Sequence, residues 1–505
     1  MRRPLLASVL ATLCLSACGS TVQLSSQQAA GDGLGGGSSV DGAVNGTTGG
    51  TSSELGTTGG GAGTTGGSGG GSGSALPQVA GTGGGSTGSS STGATPSKLP
   101  GLAPKAPIEV GMVIFPDVAQ FSAALGAKSG NTADQQAQVD RAAKWVNANG
   151  GIASHQIKMV YHSVSLTSSE SYDQIEQEVC TDFTQDHHVT IAMTTPANVD
   201  NFLPACLLKH HVLDIAGGHY LHDETDYRQL PNLITPSEVS MTRLAKAQIA
   251  ELFGRGILKS GQKLGILVED HPAALRATNN ILRPQLKARG VTLVDYTIKG
   301  PTSTPDIANS VSAIQSAELK MATQNVAAVT FMCAGCYSFF KSDAESQSYY
   351  PRYFLSSIDN VLADAGGNHG KSLANATVLS WDPLRDIGAF SHKSEFTGNP
   401  SRDLCHTIMK GFATDDTSEG ISQVVCGAML DLQAAGKAMG SLPLNGDNLM
   451  VGFDKLGTSH DAAVNFKTIL NPNHHDGAYG YRTMHYDAAA DAFVYDSKVL
   501  HPFAA

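Results

Sequence analysis

The amino-acid sequence predicts an α/β protein with two lobes, each built on a parallel sheet, joined by several crossing segments. Three observations lead to this prediction. From residue 107 onward, apolar strand segments alternate with helical patterns, which is typical of parallel sheets with right-handed crossovers. The alternation pauses at residues 231–242 and then restarts, which indicates a second lobe. The tail is different, because it has the pattern of two antiparallel strands.

The first repeat of this pattern lies around residues 145–161. Trp145 and Val146 belong to one apolar helix face, and Asn149-Gly150-Gly151 supplies residues that tolerate positive φ and can stop a helix. A strand at 157–164 follows, and the strand that precedes the helix is Ile108–Phe115. A generic α/β segment is the alternative, but the units that follow repeat the same order. We therefore interpret the stretch as the first crossover, with a structural role for the two glycines.

The remaining elements of the first lobe continue the alternation. Ser168 or Ser169 is expected to cap the second helix, whose apolar face includes Ile175 and Val179. The predicted elements are a helix at Thr132–Asn147, a strand at Val189–Met193, a helix at Asn198–Lys209 and a strand at Val212–Ala216.

The second lobe is predicted to begin with a helix near Ser237. Its strands are expected at Lys263–Val268, Val291–Tyr296, Val326–Phe331, Tyr353–Ser356 and Ala376–Trp381, with helices at Ala273–Arg289 and Pro305–Met321. After the last of these strands the chain is expected to cross back. The return contains an apolar helix, Gly420–Met439, and the tail forms an antiparallel pair, Gly480–Tyr486 and Ala492–Ser497, with the turn at Asp487–Asp491.

The N-terminal region indicates export and a lipid anchor. Arg2-Arg3 precedes an apolar run, Leu5–Leu15, that is too short to span a membrane as a mature helix. The following Leu15-Ser16-Ala17-Cys18 resembles a bacterial lipobox, which implies lipidation of Cys18, of the palmitate type, after cleavage of a signal peptide. An ordinary secretory signal is the alternative. Since no later stretch is long and apolar enough to span a bilayer, the rest of the chain is expected outside the cell membrane.

Composition separates a tether from the folded part. Residues 19–104 hold 28 of the 57 glycines and almost no charge, so they bury little apolar surface and are predicted to form a disordered Gly/Ser/Thr-rich tether. The net charge of −11 disfavours nucleic acid as a partner. The chain is expected to act as a monomer.

The folded part resembles a known family. Val146-Asn-Ala-Asn-Gly-Gly-Ile152 with Ile157-Lys-Met-Val160 is similar to the type I periplasmic solute-binding proteins, specifically the branched-chain amino-acid (leucine/isoleucine/valine) receptors of ABC transporters. Gly265-Ile-Leu-Val-Glu-Asp270 and the terminal strand pair support the resemblance, which covers about residues 107 to 500. It implies the type I periplasmic binding protein fold, with two Rossmann-like lobes and several hinge crossings.

The predicted domain boundaries follow from this organisation. They are 1–18 for the signal peptide with its lipobox, 19–104 for the tether, 105–236 for the first part of lobe one, 237–382 for the main part of lobe two, 383–470 for the return segment of lobe one, and 471–505 for the terminal strand pair on lobe two.

The ligand site is predicted where the strands of both lobes end. Ligands bind beyond the carboxyl ends of parallel strands, and in a two-lobed clamp these ends face one cleft. Thr194 and Thr195 offer hydroxyls and N–H groups near a helix start, where an anion is favoured. Glu269 lies at a strand exit of the second lobe, and Trp381-Asp382 ends another strand.

The resemblance implies specific roles for some of these residues. It assigns the ligand carboxylate to Thr195 and a small-residue loop to Gly217-Gly218-His219, where His219 stands in place of a common threonine. It implies an aromatic contact from Tyr337 and an acidic contact to the ligand ammonium from Asp359. The alternative, that these are ordinary solvated loop residues, stays open for each of them except Thr195.

Six cysteines in the folded part predict three disulfides in an oxidising compartment. The predicted pairs are Cys180–Cys206 between neighbouring helices, Cys405–Cys426, and Cys333–Cys336, whose CxxC spacing could also indicate redox or metal chemistry. The histidine-containing run 219–224 could ligate a metal if it were helical, but its flanking residues indicate a loop. No metal and no cofactor are therefore predicted.

Two functions fit these observations, and catalysis is disfavoured because no recognisable catalytic motif is present. The first is a lipid-anchored extracytoplasmic receptor that captures a small polar ligand, an amino acid or related compound, between its lobes and delivers it to the permease of an ABC importer. The alternative is a ligand sensor or cell-surface interaction protein with the same fold and no transport role, which the long tether motivates.

Overall fold

The computed structural model describes residues 106–118, 120, 135–194, 201–217, 221–364, 367–388, 395, 398–412 and 415–504. The predicted signal peptide, Cys18 and the tether lie outside the described residues, as do Thr195, Gly218 and His219.

The first lobe is built on a five-stranded sheet in which all paired strands run parallel. Its strands are β1 (Ile108–Ile114), β2 (Ile157–Ser163), β3 (Ile191–Met193), β4 (Leu213–Ile215) and β5 (Leu233–Ile234), in the order β2-β1-β3-β4-β5. The helices between them are α1 (Gln135–Ala148), α2 (Tyr172–Thr181), α3 (Phe202–Lys209) and α4 (Glu224–Gln229).

The second lobe has a larger, mixed sheet. Its strands are β6 (Lys263–Glu269), β7 (Thr292–Ile298), β8 (Ala328–Met332), β9 (Arg352–Ser356), β10 (Thr377–Ser380), β11 (Gly480–Asp487) and β12 (Ala492–Tyr495), with β13 (His501–Pro502) paired to β11. The order is β7-β6-β8-β9-β10-β11-β12. Strands β6 to β10 are parallel, whereas β11 runs antiparallel to both β10 and β12.

The helices of the second half fall into two groups. α5 (Met241–Gly254), α6 (Pro272–Ala277), α7 (Arg283–Ala288), α8 (Ile307–Thr323), α9 (Cys336–Ser346) and α10 (Gly370–Leu373) accompany the second sheet, and α11 (Pro383–Asp386) follows β10. The return helices are α12 (Pro400–Ile408), α13 (Asp416–Ala438) and α14 (Gly446–Asp454). Their buried residues, among them Cys405, Met429 and Phe453, share one core with β1 and α1. The return segment therefore completes the core of the first lobe.

The chain segments that join the lobes are tied to one another. Thr235 forms a parallel bridge with Asp476, and Asn465 Nδ2 donates to the carbonyl oxygen of Pro236 at 2.7 Å. Asp476 Oδ2 accepts a hydrogen bond from Arg243 Nη1 at 2.6 Å, and both side chains are buried. The crossing at residues 231–242 and the segment at residues 465–476, which leads from the return helices to β11, therefore form one bonded unit at the hinge.

The three disulfides are present, as predicted. Cys180–Cys206 joins α2 to α3, with 6.3 Å between Cα atoms, and Cys405–Cys426 joins α12 to α13, with 5.6 Å. Cys333–Cys336 closes the loop between β8 and α9, with 5.9 Å. All three Cα separations lie within the range that suits a disulfide.

The double glycine has the structural role expected of it, but its two members differ. Gly150 and Gly151 have φ of +99° and +71°, so both adopt the left-handed conformation that ends α1. A Cβ at Gly151 would lie 1.9 Å from the carbonyl oxygen of His155, whereas a Cβ at Gly150 would meet no atom within 4 Å. A side chain at Gly151 would therefore clash with the backbone of His155, and it would also be unfavourable at this positive φ.

Several details of the sequence prediction are wrong. The N-cap of α2 is Ser171 and not Ser168 or Ser169, because Ser171 forms a reciprocal capping box with Gln174. The helix expected over 273–289 is present as one continuous helical run, although its residues Thr278–Leu282 form a π-helical segment. α5 begins at Met241, four residues after Ser237, because Ser240 caps it by accepting the Arg243 N–H. Strand β5 was not predicted.

Candidate functional site

The two lobes touch on one flank of the cleft through an ionic contact. Arg276, on α6, donates from Nε to Oδ2 of Asp223 at 2.6 Å and from Nη2 to Oδ1 of the same residue at 2.9 Å. The same Nη2 donates to Oδ1 of Asp226 at 2.7 Å. Both aspartates are buried, and the nearby charges and hydrogen bonds of His222 and Arg276 hold the pKa of Asp226 below its usual range despite this burial. We call this contact the ionic flank.

A second contact between the lobes is formed by backbone and apolar groups. Ser171 pairs with Ser303 in an antiparallel bridge, and the Tyr172 N–H donates to the carbonyl oxygen of Thr302 at 2.9 Å. Ile307, at the start of α8, packs into a cluster that otherwise consists mainly of first-lobe residues. We call this contact the backbone flank. Both contacts join the two lobes, and we call this conformation the closed clamp.

Thr194 lies at the exit of β3, as predicted, but its hydroxyl is engaged within the first lobe. Thr194 Oγ1 donates to Asp214 Oδ1 at 2.5 Å, and both residues are completely buried. Burial raises the pKa of Asp214 to about 7. Thr194 therefore ties β3 to β4 beside the predicted site.

Glu269 connects two loops of the second lobe. The Ala334 backbone N–H donates to its carboxylate, and burial raises the pKa of Glu269 to about 7. Since Ala334 lies inside the loop that the Cys333–Cys336 disulfide closes, Glu269 fixes this loop to the end of β6. Its role in the described structure is to hold the shape of the cleft wall.

Asp359 has the geometry of a ligand acceptor. It sits in a short 3₁₀ turn directly after β9, where Oδ2 accepts the N–H of Ser356 at 2.8 Å and its hydroxyl at 3.2 Å. Oδ1 has no hydrogen-bond partner within the described part of the chain, although the residue is 3 % exposed. Burial raises the pKa of Asp359 to about 7. A buried acceptor without a partner is costly, so a donor from a ligand would stabilise this position.

Tyr337 is placed differently from what the resemblance implies. Its ring is completely buried against Phe331 and Tyr353, and its hydroxyl donates to Asp364 Oδ2 at 2.6 Å. Asp364 also binds Lys341 Nζ. In the closed clamp Tyr337 thus belongs to the core of the second lobe, and its hydroxyl is not available to a ligand.

A buried ionic cluster at the hinge is not predictable from the sequence pattern. Arg385 Nε donates to Asp382 Oδ2 at 2.6 Å, and its Nη2 donates to Glu238 Oε1 at 2.8 Å. Asp386 accepts the Ser357 hydroxyl at 2.7 Å, and burial raises its pKa to about 8. Asp382 lies at the predicted strand exit. Through Arg385 it connects the end of β10 to Glu238 in the crossing at residues 231–242.

The exit of β4 opens onto a small cavity of about 30 Å³. Ala216 and Gly217 line it from the strand, and Gly427 and Asp431 line it from α13. Asp431 is buried and accepts a hydrogen bond from His460 Nε2 at 2.6 Å. A buried aspartate in the middle of a long apolar helix is the signal that could have indicated this position from the sequence.

The described residues give no sign of a metal centre or of a membrane span. Among them, no group of three or more His, Cys, Asp or Glu side chains is arranged to hold a metal ion. Every helix in this part of the chain is too short or too polar to cross a bilayer.

The fold is that of ABC-transporter substrate-binding proteins of the type I, leucine-binding kind. A substrate-binding protein from Aeropyrum pernix superposes with a TM-score of 0.53 and 12 % identity, covering 78 % of this chain and 95 % of that one. The leucine-binding protein LivK from Thermotoga maritima gives 0.52 and 9 %, covering 77 % and 98 %. A fatty-acid ABC transporter substrate-binding protein from Thermomonospora curvata gives 0.51 and 14 %, covering 81 % and 95 %.

Sequence comparison adds no closer relative. No family model matches the chain, and no curated protein sequence matches it. The three solved structures are named as substrate-binding or leucine-binding proteins, and at these identities the likeness establishes the fold of this chain and no more.

Proposed function

We propose that the protein is an extracytoplasmic solute receptor that captures a small polar ligand between its lobes. The observation that carries this proposal is the closed clamp, in which the strand-exit loops of two α/β lobes meet on both flanks of one cleft. Hinge closure around a ligand is the standard use of such an architecture. The solved structures of the same fold support the same class of function.

The ligand is proposed to be an amino acid or a related compound. Asp359 offers a buried carboxylate oxygen without a partner in the described chain, which suits an ammonium or another N–H donor. Thr195, together with Gly218 and His219, is proposed to bind the ligand carboxylate from the first lobe. Glu269 and Thr194 shape the walls, and a direct contact from Tyr337 would require its hydroxyl to leave Asp364.

The closed, loaded receptor is proposed to deliver its ligand to the permease of an ABC importer. The lipobox at Cys18 and the export signal before it support a position on the outer face of the cell membrane, held by a lipid. The described fold has no feature that points to catalysis, and its solved neighbours are binding proteins.

Isothermal calorimetry tests the capture of a ligand directly. The panel comprises leucine, threonine, glutamine, short carboxylates and polyols, and we expect heat from amine-bearing compounds. Asp359→Asn should weaken their binding about tenfold, because a charge-assisted hydrogen bond is lost. The matched control is Asp403→Asn, an exposed change on α12. Silence across the panel with folded protein would count against the proposal.

A second candidate is a ligand sensor or surface interaction protein without a transport role. The long Gly/Ser/Thr-rich segment at 19–104 favours it, because a receptor that serves a permease in its own membrane needs little reach. Affinity purification from membranes distinguishes the two. Recovery of permease subunits supports transport, whereas recovery of a kinase ectodomain or a wall protein supports sensing.

A further inference from the structure

The first lobe contains a second pocket, far from the cleft. It has a volume of about 640 Å³ and lies beside the Gly150-Gly151 turn, which precedes β2 at the amino end of that strand. The cleft is formed at the opposite, carboxyl ends of the strands. The remaining walls come from the start of α12, the last turns of α13 and His460.

The pocket wall is a fixed structure because the turn is bonded to α13. Gln433 Nε2 donates to the carbonyl oxygens of Asn149 and Gly151, at 3.1 and 3.3 Å. Gly436 allows the turn to approach the helix closely, since a Cβ there would lie 2.8 Å from the backbone nitrogen of Ala153. These contacts make the concavity part of the first lobe's packing.

Positive charge is concentrated in the pocket. Lys437 and His460 line it, and none of the described residues around it is an aspartate or a glutamate, although the whole protein carries a net charge of −11. His460 is bound to Asp431 at 2.6 Å, and this hydrogen bond raises the pKa of His460 even though burial opposes the change. Because Asp431 pairs with His460, the net positive charge of the described lining comes from Lys437, which is exposed and has no carboxylate partner among the described residues.

Ser401 adds a buried donor at the floor of the pocket. It is the second residue of α12 and is 8 % exposed, yet its hydroxyl has no partner among the described residues. The first turn of α12 adds one N–H group, that of Ser401, because Pro400 has none and the Arg402 N–H is bonded to Asn399 Oδ1. The carboxyl end of α13 reaches the rim with a partial negative charge of about half a unit, which offsets the positive charge of Lys437 only in part.

The opposite wall is apolar. Leu404 from α12 and Leu430 and Ala434 from α13 line it. A ligand that fills the pocket therefore needs an anionic group at one end and an apolar body at the other.

We propose that this pocket is a second binding site, for a small organic anion whose oxyanion contacts Ser401, Lys437 and His460 and whose body packs on Leu404 and Leu430. The oxyanion is a carboxylate or a phosphate, since both suit the same donors. The site is independent of the cleft and does not rest on the receptor function proposed above.

Calorimetric titration of the full chain with benzoate and phenyl phosphate tests the site, with benzyl alcohol as the neutral control. We expect binding of at least one of the two anions and much weaker binding of the alcohol. A preference for benzoate identifies a carboxylate ligand, and a preference for phenyl phosphate identifies a phosphate ligand. Binding of neither anion to folded protein would overturn the proposal.

Substitutions then locate the binding. Lys437→Glu should weaken the anion about tenfold or more, and Ser401→Ala by several-fold, since each removes a hydrogen bond to a charged group. Lys144→Glu is the matched control, because it makes the same charge change at an exposed position on α1 of the same lobe. Equal affinities in Lys437→Glu, Ser401→Ala and Lys144→Glu would place the anion elsewhere and overturn the assignment.

Discussion

The ionic flank and the backbone flank both join the first lobe to the second, but they do so through different types of interaction. The ionic flank depends on one guanidinium, Arg276, shared by two buried carboxylates. The backbone flank depends on a main-chain bridge at Ser171 and Ser303 and on the apolar side chain of Ile307. The ionic flank can therefore be broken by one side-chain change and depends weakly on salt through the partly exposed arginine, whereas the backbone flank is held by main-chain groups and an apolar side chain and is insensitive to salt.

Covalent locking of the backbone flank should have the largest effect. Antiparallel partners have Cα atoms about 4.5 to 5.5 Å apart, which suits a disulfide. Ser171→Cys with Ser303→Cys should therefore form a bond between the lobes and raise the free energy of unfolding by about 4 kcal/mol, because the bond closes a loop of more than a hundred residues. Mass spectrometry and denaturant unfolding measure this. Free thiols in the folded double variant would contradict the closed contact.

Loss of the ionic flank should come next. Arg276→Ala leaves Asp223 and Asp226 buried without their cation, at an expected cost of about 2–3 kcal/mol after allowance for the partial exposure of the arginine. Urea unfolding measures the change. Arg283→Ala is the matched control, because its partner Asp295 is well exposed, and it should cost below about 1 kcal/mol. Equal costs for the two variants would mean that the flank is not formed in solution.

The apolar part of the backbone flank should show a slightly smaller loss with no salt dependence. Ile307→Ala should cost about 2 kcal/mol, the lower end for an isoleucine truncation, because the site is at an interface. Leu319→Ala on the same helix is 55 % exposed before the change and should cost less than about 0.5 kcal/mol. Repeating the Ile307→Ala and Arg276→Ala measurements at high salt sharpens the comparison, because the Arg276→Ala penalty should shrink slightly, since both aspartates are buried, and the Ile307→Ala penalty should not change.

The smallest expected effect is the response of the ionic flank to pH. The pKa of Asp226 is lower in the folded protein than in the unfolded chain, so its stabilisation is fully present above the usual aspartate value of about 4 and is lost as pH falls below it. The stability difference between wild type and Arg276→Ala should stay constant from about pH 8 to about pH 5 and decrease at lower pH. A decrease near neutral pH would contradict the assignment to Asp226.

The architecture could be predicted from the sequence because the long parallel strands are continuous apolar runs. β6 at Lys263–Glu269 and the stop at Gly151 are examples of such local signals. β5 has only two residues, and its identity as a strand comes from tertiary bonds such as the one from Asp214 N–H to the carbonyl oxygen of Asn232. No local pattern contains that information.

The candidate site was predictable in its location and less so in its contacts. Asp359 follows a strand exit, as the pattern indicated. Tyr337 also follows a strand exit, but it lies on the buried face of α9 together with Cys336, Phe340 and Ala344. This helical spacing is typical of a core residue. The contact of Arg276 with Asp223 spans 53 positions in the chain and depends on how the lobes close, so spacing cannot reveal it.

The return helices have a consequence for the order of events during synthesis. The core around β1 and α1 contains side chains from α12, α13 and α14, such as Cys405, Met429 and Phe453. The first lobe therefore starts near the beginning of the folded part but cannot complete its core until residue 453 has emerged from the ribosome. Until then one face of its sheet stays uncovered while the strands of the second lobe are made. The first apolar surface of the chain therefore waits longest for its partner, which exposes partly made chains to aggregation.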